Sequence, residues 1–471
     1  MWFNSWEFFY FLPCVLIVYY ALGHGAQNIW LIAASYFFYG WWDWRFLTLI
    51  LASTVVDYWV AGRMPEASPA KRKRLLLASL TLNLGALATF KYFNFFVDSF
   101  VALGASIGLN FDTPALRLLP PVGISFYTFQ TLSYTIDVYR GRLQPCRRFA
   151  DFALFVCYFP QLVAGPIERA QRLLPQIAAR RVVTAVMLQT GACLILVGLF
   201  KKLAIADTAG LRVNDIFANP GARMPWDLWK GMVLFSLQIY GDFSGYSNIA
   251  RGVSRLFGIE LIENFETPYF SKNITEFWRR WHVSLSQWLR DYLYIPLGGN
   301  RHGTVATYRN LMLTMLIGGL WHGAAWTFVA WGGLHGLYLA IHKYWLNHRG
   351  LELDDKPFTM ADAGSALLRM FITFNLVSIT WVFFRADSFA TAWIYLTRLF
   401  SFPGVPGLGD VAVPLALLLA LLPIEWAQYR HGDLLAILDW PPPLRGAAYA
   451  GMIVCIVLLS GNDVPFIYFQ F

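Results

Sequence analysis

Charged residues are scarce in this sequence. They make up 14% of its 471 residues, whereas hydrophobic residues make up 57%. The mean hydropathy is +0.48, and soluble domains ordinarily carry roughly 25% charged residues. This composition excludes an ordinary soluble domain and indicates a protein that resides in a lipid bilayer.

Cysteines are also few, and no two of them have the paired spacing of a disulfide framework or a thiolate metal site. Neither of the two histidines considered below has a carboxylate or thiolate at ligand spacing. We therefore expect no disulfide framework and no bound metal. The five cysteines are Cys14, Cys146, Cys157, Cys193 and Cys455.

A fixed-period repeat is lacking too, which weakens the case for an inverted-repeat transporter. The polar or Pro/Gly-rich breaks are short enough to be loops, so a single domain is expected over residues 1–471, with a motif-rich core at about 118–345. The first apolar run follows no basic leader and precedes no clear cleavage site, so we expect it to be retained.

Apolar runs recur along the whole chain. About 20 apolar residues cross a hydrocarbon core about 30 Å thick, and weaker candidates bring the expected number of spans to about eleven. The sequence thus predicts an all-α, polytopic integral membrane helical bundle with re-entrant and interfacial helices. The stronger runs are 6–22, 45–60, 75–103, 183–203, 228–240, 311–341, 367–384, 411–426 and 447–459.

Positive charge is concentrated in short connectors. The net charge is +9, and Lys and Arg cluster at 71–74, 140–148 and 168–181. Basic clusters beside apolar segments mark cytoplasmic loops. We therefore expect contact with membrane lipids and no nucleic-acid partner.

Two stretches carry proline and glycine inside apolar surroundings, at 118–141 and 157–170. Broken backbone at membrane depth is tolerated only where protein or a wet cavity satisfies the freed polar groups. Both stretches are compatible with re-entrant, cavity-lining segments and equally with kinked helices.

Asp242 is an acidic residue in an otherwise apolar run. An unpaired carboxylate at depth is costly, so such acids face a partner or a cavity. Arg251 lies nine residues on, on roughly the opposite helical face, so the partner must come from elsewhere. The pattern favours a polar knot between helices at least as much as a direct catalytic role.

The stretch 273–303 is amphipathic. Asn273, followed by Glu276, is typical of a helix N-terminus with a capping box. Aromatic residues, among them Trp281 and His282, recur at helical spacing on one face, with arginines on the other. The pattern predicts one interfacial helix, on which His282 would be an interfacial aromatic side chain.

Residues 310–342 contain no Asp, Glu, Lys or Arg, and at 33 residues they are too many for one perpendicular span. Several glycines predict a bend near His322, inside the protein. Desolvation favours the neutral imidazole, which is a competent general base. For His335 and His342, which share a face, we expect roles in helix packing or at the interface.

Five motifs together resemble the membrane-bound O-acyltransferase family, most closely its bacterial polysaccharide-acetylating branch, over roughly residues 1–390. The resemblance implies that His322 is essential, that His282 is its companion, and that both lie toward a central tunnel where donor and acceptor meet from opposite sides of the membrane. The motifs are "FQTLSYTIDVYRG", "YFPQLVAGPIERA", "GDFSGYSNIARGVSRLFGIEL", "NITEFWRRWHVSLSQWLRDYLYIPLGGNR" and "IGGLWHGAAWTFVAWGGLHG".

Within that resemblance, acyl transfer needs a base for the attacking hydroxyl and donors for the developing oxyanion. We assign His322 as the general base, while His282 orients the acceptor or hydrogen-bonds the donor carbonyl. The resemblance implies acetyl transfer from a cytoplasmic donor, acetyl-coenzyme A, with no bound cofactor. The candidate substrate-binding residues are Asp242, Tyr246, Asn273, Trp281 and Trp321.

The acetyl group is expected to cross the bacterial inner membrane to an exopolysaccharide such as alginate or cellulose, by hand-off to a periplasmic acetyltransferase or acetyl-acceptor protein, with direct acetylation as the alternative. Two other interpretations stay open. One is a member of the same family that transfers D-alanine or a fatty acyl chain. The other is a proton-coupled transporter or flippase whose histidines form a proton relay.

Overall fold

The computed structural model describes residues 1–109, 111, 117–163, 165–353, 357–359, 361–401, 406–460 and 466–467. These residues form helices joined by turns and irregular segments, and none of them belongs to a β-strand. The prediction of an all-α protein is confirmed.

The chain divides into two compact units. Unit 1 comprises residues 1–191 and 250–262, and unit 2 comprises 192–249 and 263–471. The expectation of one functional domain over 1–471 stays a prediction. The helices wholly in unit 1 are α1 Trp6–Ala21, α2 His24–Asp43, α3 Leu47–Arg63, α4 Pro69–Leu87, α5 Phe93–Ser106, α6 Ile124–Tyr139, α7 Phe149–Cys157, α8 Phe159–Leu162 and α9 Ala170–Ala178.

Two helices, α10 Ala185–Leu199 and α12 Pro225–Leu256, continue from one unit into the other. A π-helical segment, Phe200–Asp207, follows α10. The helices wholly in unit 2 are α11 Thr208–Ala218, α13 Ile274–Arg280, α14 Val283–Leu289, α15 Gly303–His322, α16 Trp326–Arg349, α17 Ala363–Arg385, α18 Phe389–Leu399, α19 Leu408–His431 and α20 Pro442–Leu459.

Among the described residues, five helical segments are long and apolar enough to cross a membrane. Large apolar side chains on them are exposed, as in α20, where Val457 is 69% and Leu458 75% exposed; such surfaces suit contact with lipid. The protein is therefore a multi-pass membrane protein, and the number of eleven spans stays a prediction. The five segments are His24–Arg63, Pro69–Ser106, Ala363–Arg385, Leu408–His431 and Pro442–Leu459.

The two proline- and glycine-containing stretches differ from each other. In the first, the irregular backbone ends at Gly123, and α6 is an unbroken helix whose side chains are almost all buried. In the second, Cys157 ends α7, and among residues 158–163 and 165–169 only the single turn of α8 is helical before α9 begins at Ala170. The first stretch is therefore not a kinked helix, because its irregular backbone lies before the start of α6 and not within the helix.

The bend predicted near His322 is confirmed. Helix α15 ends at His322, Gly323 follows in an extended conformation, and α16 begins at Trp326. The two helices approach closely through glycine: a Cβ added to Gly332 would lie 2.2 Å from the main-chain oxygen of Met315. The backbones of α15 and α16 are therefore in direct contact near the bend that carries His322.

Because of this contact, we expect Gly332→Ala to destabilise the protein by about 1–3 kcal/mol, the usual cost of overpacking. Gly333→Ala is the matched control, since its added Cβ would meet only the Cδ2 atom of Leu316, at 3.4 Å. The measurement is the melting temperature of each purified variant in detergent. Equal melting temperatures for the two variants would contradict the close packing.

Candidate functional site

The chain turns sharply at His282, between α13 and α14. The backbone φ angle of His282 is 44°, in the left-handed region, where a non-glycine residue costs on the order of 1–3 kcal/mol and is retained only when its surroundings hold it. The prediction of one continuous helix from Asn273 to the turn at 296–303 is therefore wrong. Two helices of seven residues each stand in its place, and the π-helical segment Arg290–Tyr294 continues the second.

The break has an identifiable cause in the segment that precedes α13. The main-chain N–H of Val283 donates to the main-chain oxygen of Asn264 at 2.9 Å, and the N–H of Glu266 donates to the oxygen of Arg280 at 3.0 Å. These bonds replace helical ones on both sides of His282. Because the partners lie 14 to 19 residues earlier in the chain, the amphipathic pattern carries no sign of them.

His282 is fully buried, with 0% of its surface exposed, so its interpretation as an interfacial aromatic side chain is wrong. It lies at the junction of two short helices, outside the five apolar spans. Burial lowers the pKa of His282 to about 3, because desolvation disfavours the charged imidazolium. The side chain is therefore neutral at physiological pH.

The Asn264 side chain contacts this turn directly. Its Oδ1 atom lies 3.1 Å from Nδ1 of His282 and accepts hydrogen bonds from the main-chain N–H of Ser284 at 3.3 Å and the Ser284 hydroxyl at 2.9 Å. Its Nδ2 atom donates to the Ser247 hydroxyl at 3.3 Å. One buried amide thus ties α12 to the turn that carries His282.

The structure brings His282 and His322 together. Their ring centroids are 6.2 Å apart, and only 4% of His322 is exposed. Trp321 lies beside both, with its ring 5.9 Å from His282 and 5.0 Å from His322. Trp331 and Phe384 enclose His322 further, at 5.0 and 5.4 Å. The result is two adjacent imidazoles in a buried aromatic setting.

Asp242, on α12, belongs to a buried ion cluster with Lys202 and Asp207 of the π-helical segment, and Tyr246 of α12 lies beside this cluster. The Lys202 ammonium lies 2.9 Å from the Asp242 carboxylate and 2.7 Å from that of Asp207, and the main-chain N–H of Ile467 donates to Asp242 at 2.6 Å. Lys202 also lies 5.9 Å from the ring centroid of Tyr246. Asp242 does obtain its partner from elsewhere in the chain, and the cluster has the form of a polar knot.

Phe243 connects this cluster to the histidines. Its ring is 4.6 Å from that of His282 and 6.1 Å from that of Phe466. Phe466 in turn packs on Tyr246 at 4.2 Å. Two aromatic rings, those of Phe243 and Phe466, therefore connect His282 with Tyr246.

Asn273 and Trp281 have structural partners of their own. The Asn273 side chain accepts a hydrogen bond from the main-chain N–H of Glu276 at 2.9 Å, so the predicted helix cap is confirmed. Trp281 is buried against Phe265 at 5.0 Å and Trp381 at 5.1 Å. Their assignment as substrate-binding residues stays a prediction.

Two of the three histidines of α16, His335 and His342, pack between helices, as expected. His335 accepts a hydrogen bond from the Trp278 indole N–H at 3.2 Å, and its second nitrogen lies 2.9 Å from the Thr380 hydroxyl. His342 lies 2.8 Å from the Thr275 hydroxyl. Protein groups therefore occupy both nitrogens of His335.

Sequence reasoning missed four residues that contact the histidines: Asn264, Phe243, Trp331 and Phe384. Phe243, Trp331 and Phe384 belong to helices, and Asn264 belongs to the irregular segment before α13; in neither setting does residue type or spacing distinguish them. Asn264 became recognisable only when the fold placed its amide against the His282 ring.

Comparison with known proteins gives a consistent result. The model of the membrane-bound O-acyltransferase family matches residues 147–384, which include both histidines. The chain is 44% identical over 398 residues to the probable alginate O-acetylase AlgI of Pseudomonas syringae pv. tomato, covering 84% of this chain and 74% of the relative.

Two further relatives widen the comparison. The peptidoglycan O-acetyltransferase of Helicobacter pylori is 38% identical over 429 residues, covering 84% of this chain and 79% of the relative. The teichoic acid D-alanyltransferase of Streptococcus thermophilus is 30% identical over 302 residues, covering 57% and 68%. The resemblance predicted from the motifs is confirmed: this multi-pass membrane chain is an acyltransferase that belongs to the membrane-bound O-acyltransferase family.

Proposed function

We propose that the protein transfers acetyl groups from a cytoplasmic thioester donor, acetyl-coenzyme A, across the bacterial inner membrane for the O-acetylation of an exopolysaccharide. The observation that carries the proposal is the pair of buried imidazoles, His282 and His322, with ring centroids 6.2 Å apart. Both lie in the stretch that matches the acyltransferase family.

In the proposed reaction, an acceptor hydroxyl attacks the carbonyl carbon of the thioester. His322 takes the hydroxyl proton as the new C–O bond forms, and it returns the proton to the leaving sulfur as the C–S bond breaks. A buried setting strengthens the interactions of polar groups with the developing oxyanion. His282 orients the acceptor or hydrogen-bonds the donor carbonyl.

The choice of acetyl over other acyl groups is supported by the relatives. The two that carry O-acetylation in their names are 44% and 38% identical and each cover 84% of this chain, whereas the D-alanyltransferase is 30% identical and covers 57%. By analogy with the alginate relative, we infer an exopolysaccharide such as alginate or cellulose as the final acceptor, reached through a periplasmic acetyl-carrying protein.

The test combines a donor assay with product analysis. Purified protein in lipid vesicles, supplied with a periplasmic extract as the source of the acceptor and with acetyl-, D-alanyl- and palmitoyl-thioesters labelled in the acyl group, is expected to consume the acetyl donor alone and to transfer its label to the acceptor. In a deletion strain complemented with the gene, the secreted polymer is expected to regain its acetyl esters, and a pulse of labelled acetate is expected to label a periplasmic protein first.

Each alternative gives a different result. Consumption of the D-alanyl or palmitoyl donor alone would replace acetyl by that acyl group. Movement of a substrate across the vesicle membrane with every thioester intact would indicate a transporter. Labelled polymer without a labelled periplasmic protein would indicate direct acetylation.

A further inference from the structure

The Asn264 amide has an orientation that the main chain fixes. Its oxygen accepts from the backbone N–H of Ser284 at 3.3 Å, and a backbone N–H can only donate. Its nitrogen faces the Ser247 hydroxyl at 3.3 Å. Exchanging the two ends of the amide would place N–H against N–H, so the oxygen must be the atom that faces the turn at His282.

This orientation selects one tautomer of His282. Nδ1 lies 3.1 Å from the Asn264 oxygen, and that oxygen has no hydrogen to give, so Nδ1 must carry the proton. In a neutral imidazole the other nitrogen, Nε2, then has the lone pair. Within the part of the chain that the structure describes, Nε2 is buried and has no hydrogen-bond partner.

We propose that Asn264 is a positioning residue that holds His282 in the Nδ1–H tautomer, so that Nε2 orients the acyl acceptor by accepting a hydrogen bond from one of its O–H or N–H groups other than the attacking hydroxyl, whose proton goes to His322. This inference rests on the function proposed above and chooses between the two roles left open for His282. A thioester carbonyl has no hydrogen to donate, so the lone pair on Nε2 suits the acceptor and not the donor.

The surrounding bonds support a positioning role. The main-chain oxygen of Asn264 accepts from the N–H of Val283 at 2.9 Å, so the same residue holds the backbone on the far side of the histidine. The rings of Phe243 and Trp321 flank the imidazole at 4.6 and 5.9 Å. Backbone, ring plane and tautomer of His282 are thus all held by residues outside the turn between α13 and α14.

The first test compares three substitutions by the acetyl-ester content of the secreted polymer, divided by the amount of folded protein. Asn264→Leu removes the acceptor and is expected to lower acetylation about 10- to 100-fold, as found for hydrogen-bonded partners behind metal-bound histidines. Asn264→Asp keeps an oxygen toward His282 and Ser284, and Ser247 can donate to it, so it is expected to restore most of the activity. Ser284→Ala keeps the backbone N–H and is expected to remain near wild type.

The second test determines the tautomer of His282 directly and does not depend on acetyl transfer. The ¹⁵N spectrum of protein labelled in histidine is expected to show one residue with a protonated Nδ1 and an unprotonated Nε2, identified by the loss of its signals in His282→Gln. The Asn264→Asp protein should keep this pattern, and Asn264→Leu should lose it or become a mixture.

The outcomes separate this inference from the function itself. A wild-type spectrum with the proton on Nε2 would overturn the inference even if the protein acetylates polymer normally. Equal loss of activity in the Leu and Asp variants with an unchanged tautomer would also overturn it, since Asn264 would then matter only for folding. Absence of acetyl transfer with the expected tautomer would overturn the function and leave the positioning geometry standing.

Discussion

Replacing His322 by alanine is expected to abolish acetylation while the variant is still expressed and inserted in the membrane. The imidazole is the proposed acceptor of the hydroxyl proton, and loss of a general base commonly costs 10²–10⁴-fold in rate. His322 is the last residue of α15, so its loss leaves the helix itself in place. The measurement is the acetyl-ester content of the secreted polymer in a deletion strain complemented with each variant.

A matched control is available in the next helix. His335 is equally buried, but both of its nitrogens are bonded to protein, to Trp278 and to Thr380. His335→Ala should therefore lower the amount of folded protein and leave acetylation per folded molecule close to that of the wild type. Retained acetylation in His322→Ala, or the same specific loss in both variants, would refute the assignment of His322 as the base.

His282→Ala provides a second comparison. We expect a severe loss, because the ring lies 6.2 Å from His322 and its burial is costly without a role or a full set of partners. If the His282 variant turned over normally, the histidine would be a packing residue in the wall of the site and His322 would act alone.

The position of His322 could be predicted from the sequence because its causes are local. Glycines and a long uncharged run predict a bend, and the structure ends α15 at that residue and extends the chain at Gly323. The Asn273 cap was predictable for the same reason: a side chain three residues before a backbone N–H needs no tertiary contact to reach it.

The setting of His282 could not be predicted, because its causes are distant in sequence. The sequence of 273–303 does have helical periodicity. In the structure, however, the main-chain groups of Val283 and Arg280 are hydrogen-bonded to the main chain of Asn264 and Glu266 instead of within a helix. The identity of the cation that pairs with Asp242 could not be predicted for the same reason. The sequence requires a cation from another segment, and nothing in it distinguishes Lys202, 40 residues upstream, from the other basic residues.

Removing the ammonium of Lys201 is expected to destabilise the protein by about 3–5 kcal/mol, the usual effect of leaving one partner of a buried ion pair alone. Lys201 lies 2.6 Å from the Glu425 carboxylate, with side-chain exposures of 1% and 6%. The Tyr240 hydroxyl donates to the same carboxylate at 2.7 Å. In Lys201→Met, Glu425 must either stay charged in a buried place or take up a proton, and both are costly.

The double variant Lys201→Met/Glu425→Gln separates the effect of an unpaired Glu425 charge from the effect of changing the lysine side chain. Glutamine keeps an oxygen for the Tyr240 hydroxyl, and no unpaired charge remains, so much of the lost stability should return. Arg117→Met is a control for losing any ion pair: Arg117 and Asp98 are 50% and 52% exposed, and exposed pairs contribute about 0–1 kcal/mol.

The measurement is the melting temperature of each purified variant in detergent, followed by the loss of the monodisperse peak in gel filtration. The melting temperature of Lys201→Met is expected to be well below those of the wild type and of Arg117→Met. The melting temperature of the double variant is expected to lie between those of Lys201→Met and the wild type. Should Lys201→Met melt no lower than Arg117→Met, the pair would contribute nothing to the fold. A double variant less stable than Lys201→Met would show instead that the carboxylate is needed for Tyr240 and not for the lysine. Because Lys201 directly precedes Lys202, which pairs with both Asp207 and Asp242, the same π-helical segment supplies the cations of both of these buried ion pairings, and the stability of unit 2 should depend strongly on this short segment.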